Sequence, residues 1–346
     1  MRNMENNQKN NIYGATINEL LQIVKDLSMP SFSAQQIAQW LYRHHVSYID
    51  EMTNLSKASR NKLNESFIID VSPFSEVTTS SDGTKKYLFP IKGKGNIESA
   101  YIPDGDRHTL CVSSQVGCRM GCGFCMTGRM GFHGQLRAGD ILNQIRSIPE
   151  RDKLTNIVYM GMGEPFDNTD EVFNSLEVLT SEWGFGKSPK RITVSTIGVL
   201  PGMKRFLEES RCNLAVSLHS PFEEERRALM PMNKAYPLKE VLDVIRSFPK
   251  EKQRRISFEY IVFGGLNHST SHVKELARVL QGIACRINLI RFHSIPDGNF
   301  KPPSEAELNQ FKALLEAKGF IAIIRKSRGQ DISAACGMLA NESVKK

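Results

Sequence analysis

Three cysteines fall within eight residues, in Cys118-Arg119-Met120-Gly121-Cys122-Gly123-Phe124-Cys125. The spacing is C-x3-C-x2-C, and no second CxxC pair completes a zinc ribbon. A structural zinc site is closed by four ligands. A cubane iron–sulfur cluster in an ordinary electron carrier also takes four thiolates. Three thiolates leave one iron of such a cluster open. The implied chemistry is a [4Fe-4S] cluster on Cys118, Cys122 and Cys125 that can bind a further small molecule. Gly117, Gly121 and Gly123 permit the tight turns such a loop needs. Met126, Met130 and Phe132 are expected to shield it.

A second candidate is Met160-Gly161-Met162-Gly163-Glu164-Pro165, which follows an apolar strand pattern as a ligand loop does in an α/β protein. Glu164 can accept hydrogen bonds from an ammonium. Alone, the segment also reads as a plain βα turn. Two further strand ends carry polar groups, Ser195-Thr196 and Ser217-Leu218-His219. Such groups can hold a ribose or a carboxylate, though each alone also fits a helix cap. Cys111 lies on a strand leading to the cysteine loop. Cys336 ends a stretch, Arg325 to Gly337, that is basic and then small. A nearby cation lowers a thiol's pKa and makes it nucleophilic. Taken alone, Cys111 and Cys336 read as structural, and Cys212 and Cys285 as packing residues. Glu98, in Asn96–Pro103, reads alone as an edge-strand surface carboxylate.

The elements that must position these residues follow from periodicity. Residues 13–70 read as a helical module. Ile17, Leu20, Leu21, Val24 and Leu27 mark one apolar face, and Ser33 is placed to cap a helix carrying Ile37, Trp40 and Leu41. A third helix follows Leu55. Arg43, His44, His45, Lys57, Arg60 and Lys62 give the module a basic, RNA-gripping reading, against a solvated polar face. Residues 74–104 read as a β section, with turns at Asp82-Gly83 and Gly93. From about residue 108, strands and helices alternate. The strands are expected at Thr109–Val116, Asn156–Met160, Ile192–Thr196, Asn213–Leu218, Ile256–Val262 and Ile287–Phe292. Helices are expected between them, for example at Leu238–Phe248 and His272–Leu280. That alternation predicts an α/β fold with a parallel sheet or a barrel.

The chain has 346 residues, with Lys and Arg exceeding Asp and Glu by 8. The excess favours an anionic partner, nucleic acid first, against a basic enzyme with no such partner. No run of about 18 apolar residues predicts a membrane span. Met1–Asn11 is polar, lacks an apolar signal-peptide region and reads as a mobile tail. Seven cysteines, an odd count, fit a reducing cytoplasm better than a disulfide framework.

Together these segments resemble the RlmN/Cfr family of radical S-adenosylmethionine (SAM) RNA methyltransferases, on its RlmN side. The resemblance rests on Val112–Cys118 with the cysteine loop, Gly161–Pro165, Arg191–Thr196, Leu214–His219, Leu229-Met230-Pro231, Phe258-Glu259-Tyr260, and Ser327-Arg328-Gly329 through Cys336-Gly337. It spans about Glu98 to Gly337. It implies a partial (β/α)6 barrel with a small N-terminal helical domain. The boundaries expected are a tail over 1–11, a helical RNA-binding accessory domain over 12–72, a β extension or linker over 73–107 and the catalytic domain over 108–340.

The resemblance also implies a reaction. The family methylates carbon 2 of adenosine, in the peptidyl-transferase region of 23S ribosomal RNA and beside the anticodon of certain tRNAs. Carbon 2 is electrophilic and cannot attack the methyl of SAM. A first SAM therefore methylates Cys336, and a second, cleaved at the cluster, yields a radical that takes a hydrogen from the S-methyl group. The carbon radical adds to the base. Glu98 matches the residue proposed to remove the carbon 2 proton. Cys111 then attacks Cys336, forming a disulfide that releases the product and that an external reductant reopens. Gly163, Glu164, Pro165, Ser195, Ser217, Leu218 and His219 fall at SAM-binding positions. His293 stands where the family has Asn, and Arg291 where it has Pro. An imidazole can still donate or accept one hydrogen bond per nitrogen. A flavodoxin-type electron donor, a monomer and a cytoplasmic location are expected. Two other readings stand beside this one. The first is the carbon 8 methylating Cfr branch. The second is an RNA-binding protein with a structural metal on the three cysteines plus His108 or His133.

Overall fold

The computed structural model describes residues 9–248, 256–296 and 298–340. Met1–Gln8, most of the segment read as a tail, lies outside them. Asn10 and Asn11 do not trail: they pair in parallel with Phe67 and Ile68. The chain divides into two compact units.

The first unit comprises the described residues up to Pro73 together with Leu136–Ile148 and Asp170–Ser188. Its first helix, Ile17–Asp26, starts at a reciprocal cap in which Glu19 N–H donates to Thr16 Oγ1 and Thr16 N–H donates to Glu19 at 2.7 Å. Leu20 and Val24 are buried, whereas Leu21 is 41% exposed and lies off the packed face. The second helix, Ser33–Gln39, takes Ser33 inside it rather than as its cap. It widens into a π turn over Trp40–His44 and ends where His45 turns left-handed, at φ 54°. A third helix, Lys57–Ser66, is capped by Ser56.

The basic reading of this module needs correction. Between 13 and 70, Lys25, Arg43, Lys57, Arg60 and Lys62 are matched by Glu19, Asp26, Asp50, Glu51, Glu65 and Asp70. Several of those cations also bind the protein itself. Arg43 donates to the Glu182 carbonyl, Arg60 to that of Leu55 at 2.8 Å and Lys62 to that of Leu27 at 2.8 Å. His44 packs at a tilt against Trp40, with ring centroids 4.5 Å apart.

The second unit is built on one ten-stranded sheet. Its strands are β1 (Glu76–Thr79), β2 (Lys85–Ile91), β3 (Gly95–Asp104), β4 (Arg107–Cys111), β5 (Asn156–Tyr159), β6 (Ile192–Thr196), β7 (Asn213–Ser217), β8 (Ile256–Val262), β9 (Cys285–Arg291) and β10 (Ile321–Ile324). They lie side by side in that order. β4 to β10 are parallel, and β1 to β4 are antiparallel. The open parallel run is the expected partial barrel, extended by β10, a strand the sequence reading did not place. The segment over 73–107 does not act as a linker, because β3 pairs with β4 at five positions from Ala100–Cys111 to Asp104–Arg107. Every residue of β8 is buried, as expected for a central parallel strand covered on both faces.

The strand expected to run to Val116 stops at Cys111. Gln115–Gly117 instead forms a separate hairpin with Phe132–Gln135. That hairpin brackets the cysteine loop, and Cys118 N–H closes it on the Gly131 carbonyl at 2.8 Å.

Candidate active site

A cavity of about 150 Å³ opens at the C-terminal ends of the parallel strands, the end at which ligands bind in such folds. Cys118, Cys122 and Cys125 line one side. Facing them are Gly163, Glu164 and Pro165 after β5, and Ser195 and Thr196 from β6. Ser217 and His219 from the end of β7 and Glu259 from β8 complete the wall. Residues scattered over 140 positions of sequence thus meet because consecutive parallel strands present the same ends.

Cys118 and Cys122 are buried and Cys125 is half-buried. Burial pushes the Cys118 thiol up to about 12 and raises those of Cys122 and Cys125. Metal binding reverses that preference, since a coordinated thiol gives up its proton. The shield differs from the one expected. Met126 packs on it, but its body is Met120, Phe124, Leu229, Met230, Ile261, Phe263 and Phe292. Phe132 instead carries the Arg119 guanidinium 4.0 Å from its ring centre.

Gly163 shows why the loop after β5 is glycine-rich. Its φ is +101°, and a Cβ there would sit 2.6 Å from Gln115 Cβ. Gln115, at the mouth of the cysteine hairpin, accepts the Glu164 N–H at 2.8 Å. The Glu164 carboxylate accepts N–H groups from Phe166 and Ile197, at 3.1 and 3.0 Å. Burial nevertheless raises its pKa to about 7, against the lowering effect of its hydrogen bonds to Thr196, Ile197 and Phe166.

His219 adopts a left-handed φ of 56°. Its Nδ1 accepts the Ile261 N–H at 3.0 Å. Burial, helped by the Arg226 charge, pushes its pKa down to about 3. The ring is therefore neutral with its proton on Nε2, a fixed donor for an anionic or hydroxyl group. Its edge meets Phe124 of the cysteine loop at 4.9 Å between centroids.

A second cavity, of about 130 Å³, adjoins the first. Cys111, His293, Arg325, Ser327 and Cys336 line it, and Cys125, Gly161, Cys336 and Gly337 line both. Cys336 thus stands between the cluster cysteines and Cys111. Cys336 is exposed to solvent on one side, and the protein atoms crowding its other side raise its thiol; burial lifts that of Cys111 to about 12, while the Arg325 charge pulls both down. The neighbouring cations point elsewhere, since Arg328 and Lys326 meet Asp104 at 2.7 and 3.5 Å.

Glu98 lines neither cavity. It lies on an interior strand, 3% exposed, so the surface reading of it fails. Lys86 Nζ sits 3.1 Å from one of its oxygens, and Ala340 N–H donates to the other at 2.9 Å. It is two residues along β3 from Ala100, which faces Cys111 across the ladder. Removing one member of such a buried pair strands the other charge. Lys86→Met should lower unfolding stability by about 3–5 kcal/mol, measured as a urea midpoint. Lys86→Met combined with Glu98→Gln should recover most of it.

Two other expected contacts fall outside the first cavity. Leu218 is fully buried and donates its N–H to the Glu259 carbonyl at 2.9 Å. His293 faces the second cavity, with Nε2 2.9 Å from Ser327 Oγ. Residues not singled out by sequence also belong to the site. Glu259 is held by Ser257 and by Asn288 of the adjacent β9, at 3.0 and 2.7 Å. Its signal was available, as an acid inside the mostly apolar strand Ile256–Val262. The zinc-site reading loses its fourth ligands. His108 bonds Tyr101 at 2.6 Å, His133 bonds the Met130 carbonyl at 3.0 Å, and neither lines the cavity with the cysteines.

These features suit a radical SAM site, and comparison with known proteins shows the family. The radical SAM superfamily model matches residues 112–280. The ribosomal RNA large subunit methyltransferase N-terminal domain matches residues 10–69. A probable dual-specificity RNA methyltransferase RlmN of Porphyromonas gingivalis is 56% identical, over 95% of this chain and 96% of its own. One from Parabacteroides distasonis is 54% identical, over 96% and 97%. The crystal structure of a radical SAM methyltransferase from Sphaerobacter thermophilus superposes with a TM-score of 0.89 at 39% identity, over 96% of this chain and 100% of that one. The chain belongs to the RlmN family of radical SAM RNA methyltransferases. Its cofactors are a [4Fe-4S] cluster and SAM.

The residues present fit both. Among the described residues no three ligand-type side chains converge on a single ion. A polynuclear cluster is larger and suits three thiols spread along an apolar wall. The opposite wall offers a carboxylate, hydroxyls and an imidazole N–H for a zwitterionic nucleoside. No helix among the described residues is long and apolar enough to cross a membrane.

Proposed function

We propose that this enzyme methylates carbon 2 of adenosine in 23S ribosomal RNA and in tRNA, through a methyl group carried on Cys336. The observation that carries this reading is the place of Cys336, which faces the cluster cysteines on one side and Cys111 on the other. The cluster and SAM supply one-electron cleavage that generates a hydrogen-abstracting radical. The chain's own residues do the rest. Arg325 favours the Cys336 thiolate that accepts a methyl group. Ser195, Ser217, His219 and Glu164 hold SAM, with Glu164 on its ammonium. Glu98 takes the carbon 2 proton, once an oxygen is released by Ala340. Once the adduct has given up its unpaired electron, the Cys111 thiolate attacks the Cys336 sulfur; the S–CH2 bond breaks with its electron pair on the carbon, which takes a proton, leaving the disulfide and the methylated base. The relatives' names, which give two RNA specificities, and the ribosomal RNA named by the N-terminal domain model support this reading. The work takes place in the cytoplasm, with electrons from a flavodoxin-type donor.

Glu164 ties this reading to a pH test. In the cluster-free chain its folded pKa, about 7, lies above the ordinary value of 4.5. The protonated form is therefore favoured by folding. The associated stability is complete below about pH 4.5 and is lost as pH rises through 7. The loss is on the order of 3 kcal/mol. Urea unfolding of the cluster-free chain across that window should show this slope, and Glu164→Gln should flatten it. A bound ammonium offsets the penalty, because an opposite charge favours the ionised form.

The function itself is tested by anaerobic reconstitution with iron, sulfide, SAM and reductant on protein-free 23S RNA or tRNA, followed by nucleoside mass spectrometry. The expected product is 2-methyladenosine. An 8-methyladenosine product would place the enzyme on the other branch and overturn the carbon 2 reading.

A further inference from the structure

Arg226 is 1% exposed, and it sits in Glu223-Glu224-Glu225-Arg226-Arg227, a run that in sequence looks like a solvated helix face. The helix Glu223–Leu229 turns this one residue inward. Its Nη2 donates to the Ile197 carbonyl at 2.6 Å and to the Ser217 carbonyl at 3.0 Å. Nη1 donates to Asn233, which Glu223 holds in turn at 2.7 Å. The guanidinium thereby joins the ends of β6 and β7 beneath the cavity. Its Nε is buried with no hydrogen-bond partner.

The same helix is fastened to the cysteine loop. Gly123 N–H donates to the Leu229 carbonyl at 3.1 Å, and Leu229 and Met230 pack with Cys118 and Cys122. Arg226 is one helical turn from Leu229, and the two residues whose carbonyls it holds, Ile197 and Ser217, line the cavity with the three cysteines. A buried arginine left with an unsatisfied N–H is costly in a plain apolar core. It is understandable beside a group that is negative and accepts hydrogen bonds.

We infer that Arg226 is a positioning residue for the iron–sulfur cluster, whose buried charge behind the cavity wall favours the reduced form. The inference rests on the assignment of the cluster to Cys118, Cys122 and Cys125. Reduction adds one negative charge to the cluster, and net charge and hydrogen bonds to sulfur set the potentials of such clusters. In low-dielectric surroundings a nearby fixed cation acts strongly. The arginine also joins the strand ends that carry Ser195 and Ser217, so one side chain couples the cluster's electrostatics to the shape of the SAM wall.

The test uses the full chain, reconstituted anaerobically as wild type, Arg226→Met, Arg226→Gln and Arg226→Lys. Iron and sulfide content are measured first, then the midpoint of reduction by a titration followed in electron paramagnetic resonance. In Arg226→Met the equilibrium constant for reduction should fall at least tenfold, about 59 mV more negative for one electron. Arg226→Lys should recover part of that. Arg226→Met with full iron and an unchanged midpoint would overturn the inference and leave the residue a structural tie. If Arg226→Met fails to fold, the lysine and glutamine variants decide. The inference requires the glutamine variant to be more negative, and equal midpoints would refute it. Failure of the cluster assignment itself would look different: wild type would take up no iron, or Cys122→Ala would retain it all.

Discussion

With Cys336 replaced by alanine, the enzyme should gain no methyl group from SAM and should methylate no RNA. The loss should be about 10³-fold or more, the scale on which removal of a covalent nucleophile is felt. The reason is chemical. On the proposed reading, carbon 2 of adenine is not a nucleophile, so direct transfer from SAM is closed to it and the methyl group is carried first on a protein atom. Cys336 is the thiol placed for this, between the cavity of the cluster cysteines and that of Cys111. Its loop is pinned at both ends. Asp82 accepts the Gly329 N–H at 2.9 Å, and Met126 N–H donates to the Gly337 carbonyl at 2.8 Å. Between those anchors Gly329, Ser333 and Gly337 all have positive φ, of 62°, 53° and 81°. The alanine variant should therefore keep its fold and its cluster. Intact mass after incubation with SAM checks the prediction: wild type gains one methyl group, and Cys336→Ala gains none. Methyl loading at wild-type level in that variant would place the carrier elsewhere.

Replacing Cys111 with alanine should have the opposite signature, with chemistry started but not finished. The variant should load its methyl group and attack RNA, then remain joined to it. Cys111 is buried against Ala100, Val158 and Ala334, and it shares a cavity with Cys336. It therefore meets Cys336, which is exposed, from the buried side of that cavity. Its thiol, pushed up to about 12, is protonated at neutral pH. Attack thus requires loss of that proton, which Arg325 assists. A denaturing gel with labelled RNA should show a stoichiometric protein–RNA adduct in Cys111→Ala, with multiple turnover lost. Clean turnover by the variant would remove Cys111 from the reaction.

The site was legible in sequence where chemistry depends on spacing. Cys118, Cys122 and Cys125 announce themselves within eight residues, and the cavity walls Gly163, Glu164, Ser195, Ser217 and His219 follow apolar strand patterns whose ends are easy to locate. The strands β5, β6, β7 and β8 were placed to within a residue at each end, because central parallel strands are short apolar runs bounded by turns. What was not legible depends on tertiary partners. Glu98 looks like an edge-strand carboxylate until β4 of the sheet covers its strand and Lys86 meets it. Arg226 hides in a charged run, and nothing local says which of its neighbours turns inward. Leu21 fits the helical period and is nevertheless exposed, since periodicity does not fix how wide the packed stripe is. Arg43, Arg60 and Lys62 look like an RNA grip, but they bind carbonyl groups of their own unit. The seventh parallel strand, Ile321–Ile324, is a four-residue apolar run, which periodicity alone does not tell from a helix segment.

The central claim is that the methyl carbon reaches RNA by way of Cys336 and loses a hydrogen there. It is tested most directly by loading the enzyme from SAM bearing a fully deuterated methyl group, then running a single turnover on RNA with unlabelled SAM. The account predicts methyladenosine that keeps two of the three deuterium atoms, with the third in 5'-deoxyadenosine. Product retaining all three would mean the methyl group moved intact, and it would contradict the relay.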